Sequence, residues 1–285
     1  MRPIEAAAAG TDDVAVIPNG ELAYWDTGGP GPAVVLLHPA TGTAETWSPQ
    51  RQALADAGFR AIAYTRRGHL GSTPADRDHP VPAAEDLKAL VDALGLSRIH
   101  LVGAAGGGIY AVDFALAFPD LVRSLTVAAS ILGVSDEPWR AALARVGVPH
   151  SAELPPEILE LGPSYRAEDP SGVEAWRRIA QSARPKGLHL QPTVSKINWA
   201  ALSELRAPAL VMGGGADLLV PAPLMELAAS RLPRAEYVSV PDAGHAIPWE
   251  RPDRFNGALL AFLRTVEGCD ACPQTEGDNV AVQNT

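Results

Sequence analysis

Apolar and polar positions change period several times along this chain. The run Val14-Ala15-Val16-Ile17 reads as a short strand, Pro18-Asn19-Gly20 as a turn, and residues 21–25 as the hairpin partner. A Gly/Pro breaker at 27–32 precedes Ala33-Val34-Val35-Leu36-Leu37-His38, which is apolar up to its last residue. Such a run suits a parallel strand covered on both faces. From there the two patterns alternate. Helix is predicted at 44–57, strand at 60–64, helix at 83–95, strand at 98–102, helix at 109–118 and strand at 122–128. In the second of these helices Leu87, Leu90, Val91 and Leu94 recur at helical spacing.

Residues 131–205 break the rhythm. They hold Pro149, Pro155, Pro156, Pro163 and Pro170 with helical fragments between, and read as an inserted helical lid. Strand 209–212, helix 222–231, strand 237–240 and helix 252–266 restore the order. Repeated β-α-β units imply an α/β fold with a mostly parallel eight-stranded sheet and helices on both faces. The core therefore spans 13–130 and 206–266, with a loose leader at 1–12 and a polar, disordered tail at 267–285.

Composition narrows the function classes. With 285 residues, 47% of them hydrophobic, the chain can bury a large core without staples. A net charge of −10 and a pI near 5.2 speak against nucleic acid and against anionic membranes. No apolar run approaches the roughly 18 residues of a membrane helix, and the first residues are too weak for a secretory signal. A cytoplasmic protein is expected. Its two cysteines form one C-x-x-C, Cys269 to Cys272, with neither a preceding strand nor a second ligand pair, and read as free thiols. No phosphate loop, flavin motif or metal-ligand cluster stands out, so no cofactor and no metal are expected.

Chemistry concentrates in loops that follow strands. Gly103-Ala104-Ala105-Gly106-Gly107-Gly108 joins a strand to a helix, where a strained, closely packed turn favours small residues. Alone it could be an ordinary Gly-rich turn; a dinucleotide loop would need G-x-G-x-x-G after the first strand. Asp217, after the apolar strand 209–212, is placed where open α/β sheets put their sites, though it could equally form a turn or a helix cap. His245 follows Gly244 in the loop after the last strand, and its bland alternative is a satisfied surface histidine. His38-Pro39-Ala40-Thr41-Gly42 follows the third strand, with His38 expected to hold the loop.

Together these segments resemble the α/β-hydrolase superfamily, and within it small actinobacterial members described as ester, enol-lactone or epoxide hydrolases. The likeness runs from about residue 13 to 266. The stretch Thr65-Arg66-Arg67-Gly68-His69-Leu70-Gly71-Ser72 looks like the D-x-R-G-x-G-x-S turn, with Thr65 and Leu70 departing from it, and Gly244-His245 through Glu250-Arg251-Pro252 looks like the G-H…E-x-P ending. The resemblance implies a G-x-S-x-G nucleophile elbow, here G-x-A-x-G with Ala105 in the nucleophile position, and the chain order nucleophile, Asp217, His245. It further implies an oxyanion hole. Proline has no N–H, so Ala40 replaces Pro39 as the first donor, with Gly106 as the second.

A methyl group has no lone pair, so acyl-enzyme chemistry at Ala105 is excluded. The alanine is either native or a serine deliberately replaced; no tag or linker suggests the latter. Three readings follow. His245 and Asp217 activate water directly against a small, fairly apolar ester, lactone or similar carbonyl substrate. Alternatively His245 serves a lyase, isomerase or cofactor-free oxygenase, or the pocket binds a ligand without turnover. Ser72, Ser130 and Thr41 are the hydroxyls that could approach the site. The insertion is expected to form one wall of the pocket. His38, Trp139, Trp176 and Trp249 are pocket candidates, with packing the first reading for Trp139 and Trp176 and Trp249 placed at the mouth.

Overall fold

A computed structural model describes residues 13–149, 151–185 and 190–270. The expected leader and most of the expected tail lie outside the described residues, as does Cys272. Eight strands form one sheet: β1 (Asp13–Ile17), β2 (Gly20–Asp26), β3 (Ala33–Leu37), β4 (Arg60–Tyr64), β5 (Ile99–Ala104), β6 (Val122–Ala128), β7 (Ala209–Gly214) and β8 (Ala235–Val240). Their order is β1-β2-β4-β3-β5-β6-β7-β8. β2 pairs antiparallel with β1 and β4, and every other pairing is parallel.

Helices lie on both faces. They are α1 (Ser48–Asp56), α2 (Ala83–Ala93), α3 (Gly106–Ala117), α4 (Glu137–Val146), α5 (Pro156–Glu160), α6 (Pro163–Glu168), α7 (Pro170–Ser182), α8 (Trp199–Leu202), α9 (Ala222–Ser230), α10 (Ile247–Glu250) and α11 (Pro252–Asp270). One core layer joins α2, α3 and α9 to the sheet through Leu87, Phe114 and Met225. The opposite layer joins α1 and α11 through Leu54, Phe255 and Leu263. Every residue of β3, β5 and β7 is buried, which is why Ala33 to Leu37 and Ala209 to Met212 read as continuous apolar runs. Helices α4 to α8 fill the span between β6 and β7.

Several expected boundaries move, and two at helix ends matter most. α3 begins at Gly106, not 109. A β-carbon on Gly107 would lie 2.0 Å from the Leu37 carbonyl oxygen, so the glycines are the price of seating a helix start against β3 rather than signs of a loop. α11 runs to Asp270, past the expected end at 266, so the first residues of the expected tail, Cys269 among them, are helical. No helix among the described residues is long and apolar enough to cross a membrane.

Candidate active site

The loops after β3, β5, β7 and β8 meet at the carboxyl edge of the sheet. In the first turn after β5, Ala105 takes φ 49° and ψ −117°, a left-handed conformation costly for any residue with a β-carbon. Its N–H is held by the Ala128 carbonyl at 2.9 Å, and its own carbonyl accepts the N–H of Gly108 at 3.0 Å. The turn directs the start of α3 toward the loop after β3. A β-carbon on Gly106 would lie 3.3 Å from the Ala40 nitrogen, so the backbone of Ala40 packs against the start of α3.

Asp217 and His245 come together. His245 Nδ1 lies 2.8 Å from Asp217 Oδ2, and both side chains are buried. The other carboxylate oxygen accepts the N–H groups of Leu219 and Val220 at 2.8 and 2.9 Å. Asp217 is thus the turn former it could have been and a histidine partner at once. The two loops sit tightly: a β-carbon on Gly214 would fall 2.2 Å from the Gly244 carbonyl oxygen. Burial disfavours the His245 imidazolium, but the charge and hydrogen bond of Asp217, with Glu160 and Glu250 behind them, outweigh it and raise its pKa.

His38 stays inside the loop it closes. Its Nδ1 lies 2.7 Å from the Pro39 carbonyl, its Nε2 accepts the Arg66 N–H at 2.9 Å, and burial holds its pKa far below the ordinary imidazole range. The buried Arg66 guanidinium donates to the carbonyls of His38 and Pro39 and stacks on Tyr110. His69 packs edge-on against His38, and burial, with Arg66, pushes its pKa down to about 4.

The hydroxyls sort by their bonds. Ser72 Oγ donates to Thr65 O and accepts from Ala23 N, and Ser130 Oγ accepts from Leu132 N; both hold turns. Thr41 Oγ1 reaches the site, donating to Glu160 Oε2 at 2.9 Å.

Glu160 and Glu250 are the residues that reading the sequence missed as site members. Glu160, the last residue of α5, lends its carbonyl to the N–H groups of His245 and Ala246 at 2.8 and 3.1 Å. A helix end lacks internal donors for its last carbonyls, and the histidine loop supplies them. Glu250 Oε2 accepts from Gly162 N at 2.7 Å and Gly244 N at 2.9 Å, and Oε1 from Ala246 N at 3.1 Å. The insertion and the histidine loop therefore share one buried carboxyl. Glu250→Ala leaves the N–H groups of Gly162 and Gly244 without acceptors, while Ala246 keeps the Glu160 carbonyl, and is expected to cost about 3 kcal/mol, read as a lower urea midpoint at unchanged slope.

A cavity of about 10 Å³, room for one water molecule, lies beside His245. Pro39, Trp47, Ala104, Glu160 and Trp249 are among its walls. Trp139 and Trp176 are not among its walls. Trp139 stacks edge to face on Trp199 at 5.2 Å and donates to the Ile131 carbonyl, so its ring fills the core beneath the insertion. Trp176 joins Leu161, Tyr165 and Trp249 in a small cluster that docks the insertion on α10. Packing claimed both rings because each can bury a large apolar face there.

Residues 34–258 match the family model described as the alpha/beta hydrolase family. The chain belongs to that family. It is 32% identical to "Putative carbamate hydrolase RutD" of Pantoea ananatis over 245 residues, covering 81% of this chain and 88% of that protein. It is 30% identical to the 2-hydroxy-6-oxononadienedioate/2-hydroxy-6-oxononatrienedioate hydrolase of Paraburkholderia phymatum, covering 84% and 90%. Among solved structures it is similar to a thermophilic esterase from Thermogutta terrifontis, with a TM-score of 0.71, 29% identity and coverage of 89% and 97%. Its relatives are thus hydrolases of the α/β fold.

Proposed function

We propose that this family member hydrolyses a small, fairly apolar ester, lactone or similar carbonyl compound by direct attack of water. The observation that carries the reading is the buried His245–Asp217 pair at 2.8 Å, set beside a cavity with room for one water. Residue 105, in the nucleophile position, offers only a methyl group, so nothing on the elbow can form an acyl-enzyme. His245 Nε2 takes a proton from water as the water oxygen bonds to the carbonyl carbon. The N–H groups of Ala40 and Gly106 receive the developing oxyanion. Asp217 fixes the imidazole tautomer and offsets the imidazolium that forms. The esterase likeness supports a carbonyl substrate.

The test is a panel of aryl esters and lactones. A site that keeps its base and oxyanion donors without a nucleophile is expected to exceed the roughly 10³-fold acceleration over water that oxyanion donors and binding alone give. His245→Ala should bring the rate down to that residual. Ester turnover that the substitution leaves unchanged sinks the reading. No ester turnover, with a proton-transfer or ring-opening reaction lost in His245→Ala, replaces it with a non-hydrolytic enzyme. A ligand that raises the melting temperature without turnover replaces it with a binding protein.

A further inference from the structure

The reaction above gives the carboxyl of Glu160 no task. Its main-chain carbonyl ties the insertion to the histidine loop, but any residue could supply that carbonyl. The side chain is a separate matter. It lines the same cavity as His245, and its Oε2 accepts the hydroxyl of Thr41, the residue next to the oxyanion donor Ala40. Among the described residues Oε1 takes no hydrogen bond, and no guanidinium or ammonium pairs with the carboxyl. A carboxylate held half out of water without a paired cation is disfavoured relative to the neutral carboxylic acid.

The geometry points to Glu160 as a catalytic acid that protonates the leaving oxygen while His245 deprotonates the attacking water. This rests on the hydrolytic reading above. Water bonds to the carbonyl carbon and gives its proton to His245. When the tetrahedral adduct collapses, the bond from carbon to the leaving oxygen breaks, and that oxygen takes the Glu160 proton. An imidazolium and a carboxylate remain, and proton transfer between them through solvent restores both. In a serine mechanism one histidine takes the proton of the nucleophile and hands it to the leaving group when the tetrahedral adduct collapses. Here a second proton-bearing group at the cavity lets the leaving oxygen be protonated without the imidazolium having to turn from the side of the attacking water to that of the leaving oxygen.

The groups around Glu160 fit a held proton. Burial raises its pKa. His245, the Thr41 hydroxyl and Arg184 draw it down, Asp217 pushes it up again, and burial prevails.

Glu160→Gln tests the assignment, because the amide oxygen still accepts from Thr41 and the volume is kept while the proton is lost. 4-Nitrophenolate leaves without help and phenolate does not. The ratio of phenyl acetate to 4-nitrophenyl acetate hydrolysis is expected to fall about 100-fold in Glu160→Gln. A ratio equal to that of the wild type overturns the proposal, because a structural defect slows both esters alike. A carboxyl-¹³C titration of the wild-type chain supplies a readout independent of turnover and of the variant's folding. The Glu160 resonance should titrate above the ordinary glutamate range, and an ordinary value overturns the proposal. If His245→Ala leaves ester hydrolysis intact, the hydrolytic reading falls on its own, and the titration still decides whether residue 160 holds its proton.

Discussion

Ala105→Ser should raise 4-nitrophenyl acetate hydrolysis by about 10³-fold over the wild-type chain, with a burst of nitrophenolate as an acyl-enzyme accumulates. The expectation follows from what is already assembled. Residue 105 sits at φ 49°, a strain that alanine and serine pay alike, so the exchange asks nothing new of the backbone. The Ala40 backbone packed against the start of α3 and the carboxylate-backed imidazole are present without it. Removing the nucleophile from a serine enzyme costs about 10⁶ in kcat, and a site not shaped around a serine should recover only part of that. A folded variant with no burst and no gain would mean that the imidazole does not reach the elbow.

Adding Asp217→Asn to that variant should lower kcat by about 10⁴-fold. Asparagine keeps the shape and the turn contacts to Leu219 and Val220, but its amide can present a donor to Nδ1 and select the wrong imidazole tautomer. The pH profile supplies a second reading. The base works unprotonated, and Asp217 raises the pKa of His245. With aspartate the rate should therefore be half-maximal above the ordinary imidazole value of about 6.5. With asparagine that midpoint should move to lower pH while the plateau falls. A midpoint that does not move would show that Asp217 does not control the charge on His245.

The sheet was legible because burial on both faces leaves a continuous apolar run, as in Ala33 to Leu37 and Ala209 to Met212. The start of α3 was not, because Gly106, Gly107 and Gly108 look like a loop until the Leu37 carbonyl is seen pressed against them. Asp217 and His245 could be read from their place after strands. Glu160 could not. It comes from the insertion, where no periodic pattern marks it, and only the folded chain brings it beside Thr41 and His245. Trp139 and Trp176 were legible as buried rings, but a sequence does not say which side of an insertion a ring will fill.

The carbonyl of Glu160 and the carboxyl of Glu250 rivet one end of the insertion to the loop that carries the imidazole. That end cannot swing without moving His245, so under the proposed reaction a substrate gate would have to work from the opposite end. The same rivets limit modular exchange. A chimera that grafts a relative's insertion onto this scaffold must carry residues 160–162 and 244–250 as a matched set, or it changes the setting of His245 along with the insertion.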